Sequence, residues 1–358
     1  MAVSKETLDS QQSDLNLDSP LNTSQSLNEA RLMEVGKCTM EVISANRRAF
    51  NRTWKRMSPM IDLIVSACNR ETIGGNENSS TNFQPRRVSS IADVGCDHGM
   101  LALSLTSMAW AVAQQQNNDG GKENQSDDDR KINFFSKVPG ADVSDLALNG
   151  SFVSLEKVTD AMLRRVLNGD DRSRSDGTLP IEFRLGSGLE PLQSGEADAV
   201  VLAGMGVHTM LNILLGEEIS DEAPADKVQT KYIFLQPTNS RPQHMVMMYD
   251  QLHQSGWVLR DERIAFLGGR WYVNTFFERG CDNNDQLQLE NPYRFPGHCL
   301  SNDNEVYDTY VKHHLRWLNE DYERPKFVFD DEDRRWMEYI ISSKENERWR
   351  SFASWYSP

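Results

Sequence analysis

The sequence predicts an α/β fold, a doubly wound and mostly parallel sheet with an antiparallel hairpin at one edge and a helical C-terminal appendage. Two observations lead to this prediction. From Ile91 onward, short apolar runs alternate with helical stretches, which is typical of βαβ units in a sheet covered on both faces. Two extended runs then flank Gly268 and Gly269, which indicates a hairpin that closes the sheet.

Length and composition are those of a folded protein with one large domain and an appendage, or with two modest domains. The chain has 358 residues, of which 38% are hydrophobic and 25% charged, so collagen-like, fully disordered and coiled-coil classes are excluded. No run approaches the roughly 18 apolar residues of a membrane span, so we expect no membrane partner. The net charge of -15 excludes a uniformly basic surface for nucleic acid but not a local basic patch.

The sequence predicts a cytoplasmic protein without a metal site. This prediction rests on its cysteines, its histidines and its first residues. The 5 cysteines are scattered without a C-x-x-C pair and predict neither a disulfide framework nor a zinc cluster. His313 and His314 would point about 100° apart on a helix, so we expect no metal. The N-terminus lacks an apolar secretion segment and is too acidic for a transit peptide, which favours the cytoplasm. The oligomeric state is left open.

Three regions are predicted along the chain. Residues 1–28 are expected to be a disordered polar tail, residues 29–280 the main domain, and residues 281–358 a helical region. Two helices, around residues 32–50 and 59–68, are expected to open the main domain.

Polar insertions interrupt the main domain at residues 74–87, 114–137 and 168–180. Each insertion precedes a predicted strand. Loops that lead into parallel strands lie at the edge of the sheet opposite to its ligand crevice, so the insertions should leave the site accessible.

The segment IADVGCDHGMLALSL carries the first candidate site residues. It predicts a strand that ends near Asp93, a turn with Gly95 and Gly99, and a helix whose first backbone N–H groups can approach a ligand. The spacing D-x-G-x-x-x-G differs from the G-x-G-x-x-G of dinucleotide sites and favours S-adenosylmethionine as the cofactor. A turn with ordinary packing glycines is the alternative.

The second and third strands are expected to add cofactor contacts. GADVSD ends in Asp145, where a carboxylate can accept hydrogen bonds from both ribose hydroxyls. RLGSGLE brings Gly186 and Ser187 to a place where they could pass an adenine ring, with a simple turn as the alternative.

The fourth and fifth strands are expected to face the reacting atoms. LAGMGVH ends the fourth strand, and its Gly204 and Gly206 would allow a flat substrate to approach the backbone. The tetrapeptide Asn-Pro-Pro-Tyr, which would suit methylation of an exocyclic amine, does not occur at this position, so a ring nitrogen is favoured. FLQPTNS follows the fifth strand and offers polar groups to a base edge beside a fixed turn: Gln236, Pro237, Thr238 and Asn239.

Four ordered strings, IADVGCDHGMLAL, RLGSGLEPL, VVLAGMGVHTML and YIFLQPTNS, resemble the TrmK-like family of tRNA adenine-22 N1-methyltransferases. The resemblance spans roughly residues 57–325 and excludes the tail and the insertions. It implies a Rossmann-like class I methyltransferase fold, S-adenosylmethionine as the cofactor, tRNA as the partner, and methyl transfer to N1 of an adenine.

Motifs and resemblance together give three sets of candidate residues. Cofactor contacts are expected at Asp93, Gly95, Asp97, His98, Gly99, Asp145, Gly186, Ser187, Gly204 and Met205. Substrate contacts are expected at Gly206, His208, Pro237, Thr238, Arg52, Lys55 and Arg56. Catalytic roles are expected for Asp97, His98, Gln236 and Asn239.

Three positions depart from the family pattern. Ser187 stands where the family usually has Asp, Val207 where it has Gly, and Thr238 where it has Asn. A neutral serine binds adenine less strongly than a carboxylate does, and Val207 is expected to add bulk beside the reacting base. A changed cofactor affinity, a changed substrate and a weakened enzyme are therefore all compatible with the sequence.

Catalysis is expected to depend on how the enzyme aligns the adenine with the methyl group of the cofactor. Adenine N1 carries a free lone pair, so transfer needs no strong base, and a paired adenine would first have to be unpaired. Asp97 is assigned to orienting the cofactor or the adenine N6 amine, and His98 to polar positioning, with a helix cap as the alternative role for His98.

A basic cluster precedes the first motif and is interleaved with Phe50 and Trp54. Two interpretations explain this cluster equally well. It is either an RNA site with phosphate contacts and base stacking, or a solvated helix whose aromatic side chains pack on the domain. The cluster consists of Arg47, Arg48, Arg52, Lys55 and Arg56.

Other functions compete with this interpretation. The cofactor motifs do not define the acceptor, so another RNA, a small molecule or a protein could be methylated. A non-catalytic RNA-binding or assembly protein is compatible with the three departures. An NAD-dependent oxidoreductase is least favoured because its glycine fingerprint is missing.

Overall fold

The structure of the chain, a computed structural model, describes residues 23–69, 88–96, 99–119, 138–168, 179, 181–216, 222–238, 240–280, 305–306, 309–310 and 312–314. The helices and strands alternate through most of this range. In chain order they are α1 (Thr23–Ile43), α2 (Arg47–Asn69), β1 (Ile91–Val94), α3 (Met100–Asp119), β2 (Val138–Asp142), α4 (Asp145–Asn168), β3 (Ile181–Leu185), β4 (Ala199–Met205), α5 (Val207–Leu215), α6 (Pro224–Lys227), β5 (Tyr232–Pro237), α7 (Pro242–Gln254), β6 (Trp257–Leu267) and β7 (Arg270–Arg279).

The strands form a mixed seven-stranded sheet in the order β3-β2-β1-β4-β5-β7-β6. The first five strands in this order are parallel, whereas β7 runs antiparallel to both β5 and β6. A two-residue turn joins β6 to β7, and its Gly268 and Gly269 have positive φ angles of 59° and 77°. Such a turn matches the twist of paired strands. The predicted doubly wound sheet and its edge hairpin are therefore confirmed.

Helices cover both faces of the sheet, which explains why the central strands are apolar throughout. All described residues of β1, β2 and β5 are buried. One core lies beneath α1, α2 and α3, and a second core lies beneath α5 and α7. Strands buried on both faces need a continuous run of apolar residues, whereas the edge strand β3 is only half-buried.

The first helices differ from their predicted bounds. Helix α1 begins at Thr23, inside the stretch expected to be a tail, and ends at Ile43 rather than continuing to residue 50. Asn46 explains the break, because its Oδ1 accepts a hydrogen bond from the backbone N–H of Ala49 and caps α2. Pro59, expected at a helix start, lies inside α2.

The predicted insertions fall between α2 and β1, α3 and β2, and α4 and β3, so each precedes a strand as expected. Helix α3 extends to Asp119, which shortens the second insertion by about a turn and a half. Most of the three insertions lies outside the described residues.

The C-terminal region is described only in part. The described residues between 305 and 314 are helical, and Tyr310 is buried against Trp271 of the hairpin. The remainder of the predicted helical appendage, with Trp317, Trp336 and Trp349, lies outside the described residues.

Candidate functional site

The candidate site lies at the carboxyl ends of β1 and β4, which are neighbours in the sheet. From β1 the chain proceeds to β2 on one side, and from β4 it proceeds to β5 on the other. Such a reversal of strand order opens a crevice beyond the strand ends, where α/β sheets bind ligands. The carboxyl edge therefore gathers the turns after β1, β2, β3, β4 and β5.

A glycine turn follows β1 and closely approaches β4. Gly95 has a φ of +75°, and its backbone N–H donates to the carbonyl of Ala141 at 2.7 Å. A Cβ on Gly95 would collide with the terminal methyl group of Met205. The predicted cofactor residues Gly95 and Met205 are thus in direct contact across the crevice.

Gly99 has a different environment. Its φ is +65°, and a Cβ there would stand 2.9 Å from Phe183 and 3.2 Å from Ser151. These contacts are typical of a packing glycine between a helix and a sheet, which was the alternative from the sequence, and a cofactor contact at Gly99 stays a prediction. Asp97 and His98 lie outside the described residues.

Asp93 is buried at the end of β1 and faces the start of α3. Its Oδ2 accepts a hydrogen bond from the backbone N–H of Ala102 at 3.0 Å. Burial raises the pKa of the Asp93 carboxyl to about 7; this hydrogen bond opposes the rise and the nearby Asp142 adds to it. The charged form is therefore costly unless a cation compensates it.

Asp142, not Asp145, is the acid at the carboxyl end of β2. Strand β2 ends at Asp142, whereas Asp145 is exposed and begins α4. The Asp142 carboxylate accepts a hydrogen bond from the backbone N–H of Ser144 at 2.9 Å, which turns the chain away from the sheet. The predicted strand end was thus three residues too late, because an acid at a helix start was taken for one at a strand end.

Large apolar side chains are exposed beside Asp142. Val143 and Leu146 are 68% and 79% exposed, and Leu185, which pairs with Asp142 across β2 and β3, is 55% exposed. Exposed apolar side chains next to an acid suit a nucleoside, whose flat base packs on apolar groups and whose sugar carries hydroxyl groups. This feature cannot be read from the sequence, since it depends on two strands ending side by side.

The turn after β3 lies next to this apolar surface. The N–H of Gly186 donates to the carbonyl of Asp142 at 3.0 Å, and a Cβ on Gly186 would collide with Pro191. Ser187 is exposed, and its carbonyl accepts from the N–H of Glu190. The contacts of this segment are those of a tight turn that presents Ser187 to the outside.

The end of β4 is irregular and open. Gly204 has a φ of +80°, the pairing of β4 with β5 shifts there, and a Cβ on Gly204 would meet nothing within 4 Å. Gly206 precedes the first residue of α5, and Gly206 and His208 are both exposed. Val207, in contrast, is buried in the core beneath α5, so the expectation that it adds bulk beside the reacting base is wrong.

The turn after β5 is attached to the end of β4. Both the backbone N–H and the hydroxyl of Thr238 donate to the carbonyl of Met205, at 2.8 Å and 3.2 Å. Pro237 is buried and Thr238 is exposed. Asn239 lies outside the described residues.

Gln236 does not face the crevice as expected. Its side chain is fully buried, and its Nε2 donates to the carbonyl of Arg56 at 3.0 Å and to Oδ1 of Asn274. The alternation along β5 places Gln236 on the same face as Tyr232 and Phe234, beneath α2. The expected contact between Gln236 and a base edge is therefore wrong, because strand alternation was not applied to this residue.

Helix α2 presents the predicted basic cluster to the surface. Arg47, Arg48, Arg52 and Lys55 are exposed, whereas Arg56 is half-buried. Phe50 is buried in the core and Trp54 packs against it, which agrees with an amphipathic helix and contradicts base stacking on Phe50.

Two general properties follow from the described residues. No group of three or more His, Cys, Asp or Glu in this part of the chain could hold a metal ion. None of the described helices has the length and apolar character needed to cross a membrane.

Comparison of the sequence with known proteins gives a matching family profile and a similar protein, both described as methyltransferases. A family profile described as a methyltransferase domain matches residues 171–274. The tRNA (adenine(22)-N(1))-methyltransferase of Bacillus subtilis is 36% identical over 101 residues, which cover 28% of this chain and 38% of that protein. The chain thus matches less than half the length of this relative.

The solved structures that the comparison finds include two named TrmK. The B. subtilis M1A22 tRNA methyltransferase TrmK has a TM-score of 0.43 at 20% identity and covers 72% of this chain and 91% of that chain. TrmK of M. capricolum in complex with S-adenosyl-homocysteine has a TM-score of 0.42 at 15% identity, and the match covers 74% of this chain and 92% of that chain.

The sequence match confirms the predicted resemblance to the TrmK-like family over the 101 residues that it covers.

Proposed function

We propose that this protein is an S-adenosylmethionine-dependent RNA methyltransferase that transfers a methyl group to N1 of an adenine in tRNA. The observation that carries the proposal is the contact of Gly95 with Met205, with Asp142 and Thr238 attached nearby at the same carboxyl edge. The relationship to the TrmK-like family supports the reaction type.

The residues at this edge fit the proposed cofactor. Asp142 supplies a carboxylate for ribose hydroxyls, and the exposed Val143, Leu146 and Leu185 supply an apolar surface for adenine. Gly95 and Met205, with the buried carboxyl of Asp93 behind them, would take the methionine part. The predicted contacts at Asp97, His98, Gly186, Ser187 and Gly204 remain part of the proposal, whereas Asp142 takes the place of Asp145 as the ribose ligand.

The proposed reaction needs the adenine N1 and the methyl group to be aligned, and it needs no general base. When bound, the cofactor supplies an electrophilic methyl group: the bond from adenine N1 to carbon forms as the bond from sulfur to carbon breaks, and the positive charge passes to the adenine. The open backbone at Gly204 and Gly206 admits a flat ring, and the Thr238 hydroxyl lies at its border. Gln236 would stabilise the fold through its hydrogen bonds to Arg56 and Asn274 and would not contact the base.

The proposed tRNA contact lies on α2. Arg48, Arg52 and Lys55 recur at spacings of four and three, so they share one exposed face of the helix. A row of positive charges on a protein with a net charge of -15 concentrates phosphate attraction at one surface. The cytoplasm remains the expected location of this activity.

The test is methyl transfer with radiolabelled S-adenosylmethionine and unmodified bulk tRNA, followed by nucleoside analysis. Label in 1-methyladenosine is expected, and its loss in Asp142→Asn would place the activity in this crevice. Label in another RNA, or in another nucleoside, would favour the alternative acceptors. Saturable cofactor binding without transfer to any RNA would favour the non-catalytic alternative, and absence of binding would overturn the proposal.

A further inference from the structure

Tyr310, from the C-terminal region, is fully buried beside the candidate site. Its ring meets Trp271 edge-on at a centroid distance of 5.3 Å and His314 at 4.7 Å. Its hydroxyl donates to the backbone carbonyl of Ser240 at 2.7 Å. A buried tyrosine hydroxyl requires a hydrogen-bond partner, and this one reaches a residue 70 positions earlier in the chain.

Ser240 joins three parts of the fold at this point. Its hydroxyl donates to the carbonyl of Pro237 at 3.2 Å and accepts from the N–H of Val273 at 3.0 Å. Its carbonyl accepts from Tyr310. The end of β5, the hairpin strand β7 and the C-terminal region therefore meet at one buried serine.

The same turn carries Thr238, which is attached on its other side to β4. The N–H and hydroxyl of Thr238 both donate to the carbonyl of Met205. We call the turn that carries Pro237, Thr238 and Ser240 the β5 turn. Two sets of hydrogen bonds fix this turn: Thr238 donates to Met205 at the crevice, and Ser240 accepts from Tyr310.

We propose that Tyr310 is a positioning residue, which fixes the β5 turn so that Thr238 keeps its place beside Met205. The inference rests on the proposed function, since it assigns the turn to the acceptor base. Tyr310 touches no reactant; it acts through Ser240. Alignment within a fraction of an ångström is what such a reaction requires, so a loosened turn should slow transfer without affecting the cofactor.

Through this contact the C-terminal region is joined to the β5 turn. Tyr310 lies in a helical segment that packs on the hairpin, where His313 contacts Phe266 and Trp271. Displacement of this segment would withdraw the hydrogen bond from Ser240 and leave a buried carbonyl without its donor.

Tyr310→Phe tests the proposal because it removes the hydroxyl and keeps the ring. We expect kcat/KM for tRNA to fall about tenfold while the Kd for S-adenosylmethionine, measured by calorimetry, changes less than twofold. Tyr249→Phe is the matched control: Tyr249 is also buried in this core and donates its hydroxyl to Glu262, away from the β5 turn. It should lower Tm at least as much without a comparable loss of kcat/KM.

A second variant and a second measurement keep the outcome clear. Ser240→Ala keeps the carbonyl that accepts from Tyr310 but removes the hydroxyl bonds to Pro237 and Val273, so it should also loosen the β5 turn and lower kcat/KM. Hydrogen exchange of the Thr238 amide should accelerate in Tyr310→Phe but not in Tyr249→Phe. Unchanged exchange and a kcat/KM within twofold of the wild type would overturn the inference, as would losses that follow Tm in both tyrosine variants. A wild-type chain that methylates no tRNA overturns the proposed function instead, and amide exchange would then still decide whether Tyr310 holds the turn.

Discussion

The terminal methyl group of Met205 occupies the space into which a side chain on Gly95 would project. Met205 is the last residue of β4, and Gly95 directly follows β1, which is the neighbouring strand. Their contact therefore lies at the base of the crevice. Two independent features favour glycine at position 95: a larger residue would displace the Met205 methyl group, and the φ of +75° is unfavourable for other residues. The two reasons can be separated by experiment.

Gly95→Ala should weaken S-adenosylmethionine binding at least tenfold, because the Met205 side chain must leave its present place beside the proposed cofactor site. Gly256→Ala is the control, since Gly256 has a φ of +83° but open space around its Cβ position. Both variants should lose about 1–2 kcal/mol of stability from backbone strain. Calorimetry with the cofactor decides the point: equal affinities in the two variants would mean that the contact with Met205 is irrelevant to binding.

Asp142→Asn should lower the affinity for S-adenosylmethionine, whereas Asp145→Asn should leave it within twofold. Both substitutions remove one negative charge within three residues of each other. Asp142 ends β2 beside the apolar surface, while Asp145 is exposed on the first turn of α4. Calorimetric titration of both variants measures the difference. The reverse order of effects would restore Asp145 as the ribose ligand.

Sequence patterns predicted the sheet well because its signals are local. An apolar run such as IADV followed by a glycine turn and a helix has one main structural interpretation, and two glycines between extended runs make a hairpin. Asp142 was missed because the bounds of a strand that precedes a helix depend on the pairing partner, here β3. Gln236 was misassigned because its partners, Arg56 and Asn274, are distant in sequence.

Asp93 should make stability depend on pH. Its pKa is about 7 in the folded chain and about 3.8 when unfolded, so between these values the folded state binds more protons. The free energy of unfolding should therefore fall as pH rises from about 4 to 7, by up to about 4 kcal/mol for this group. Asp93→Asn keeps an acceptor for Ala102 and should lack this fall. Urea unfolding at pH 5 and pH 8 compares the two proteins, and parallel pH dependences would contradict the expectation.

Gln236→Met should destabilise the fold rather than the chemistry. It preserves the side-chain volume but removes the donor to the carbonyl of Arg56 and to Asn274, which are left with unsatisfied buried acceptors. The expected loss is about 2–4 kcal/mol of unfolding free energy. Thr238→Val is the control, since Thr238 is exposed and its backbone N–H still donates to Met205. An unchanged Tm with a large loss of kcat would contradict this expectation and support a direct contact between Gln236 and the reacting base.

Charge reversal on α2 separates RNA binding from folding. Arg52→Glu with Lys55→Glu should weaken tRNA binding and reduce the slope of log K against log salt by roughly 1.4–1.8, because two phosphate contacts are lost. Tm should stay close to the wild-type value, since both side chains are exposed. The control is Lys157→Glu with Lys227→Glu, which changes net charge equally at exposed positions on α4 and α6. Its effect on tRNA binding should be confined to long-range repulsion, so the salt slope should stay within about 0.5 of the wild type. If both double variants lower the slope alike, the α2 row is only a solvated face, and the tRNA contact must lie elsewhere on the chain.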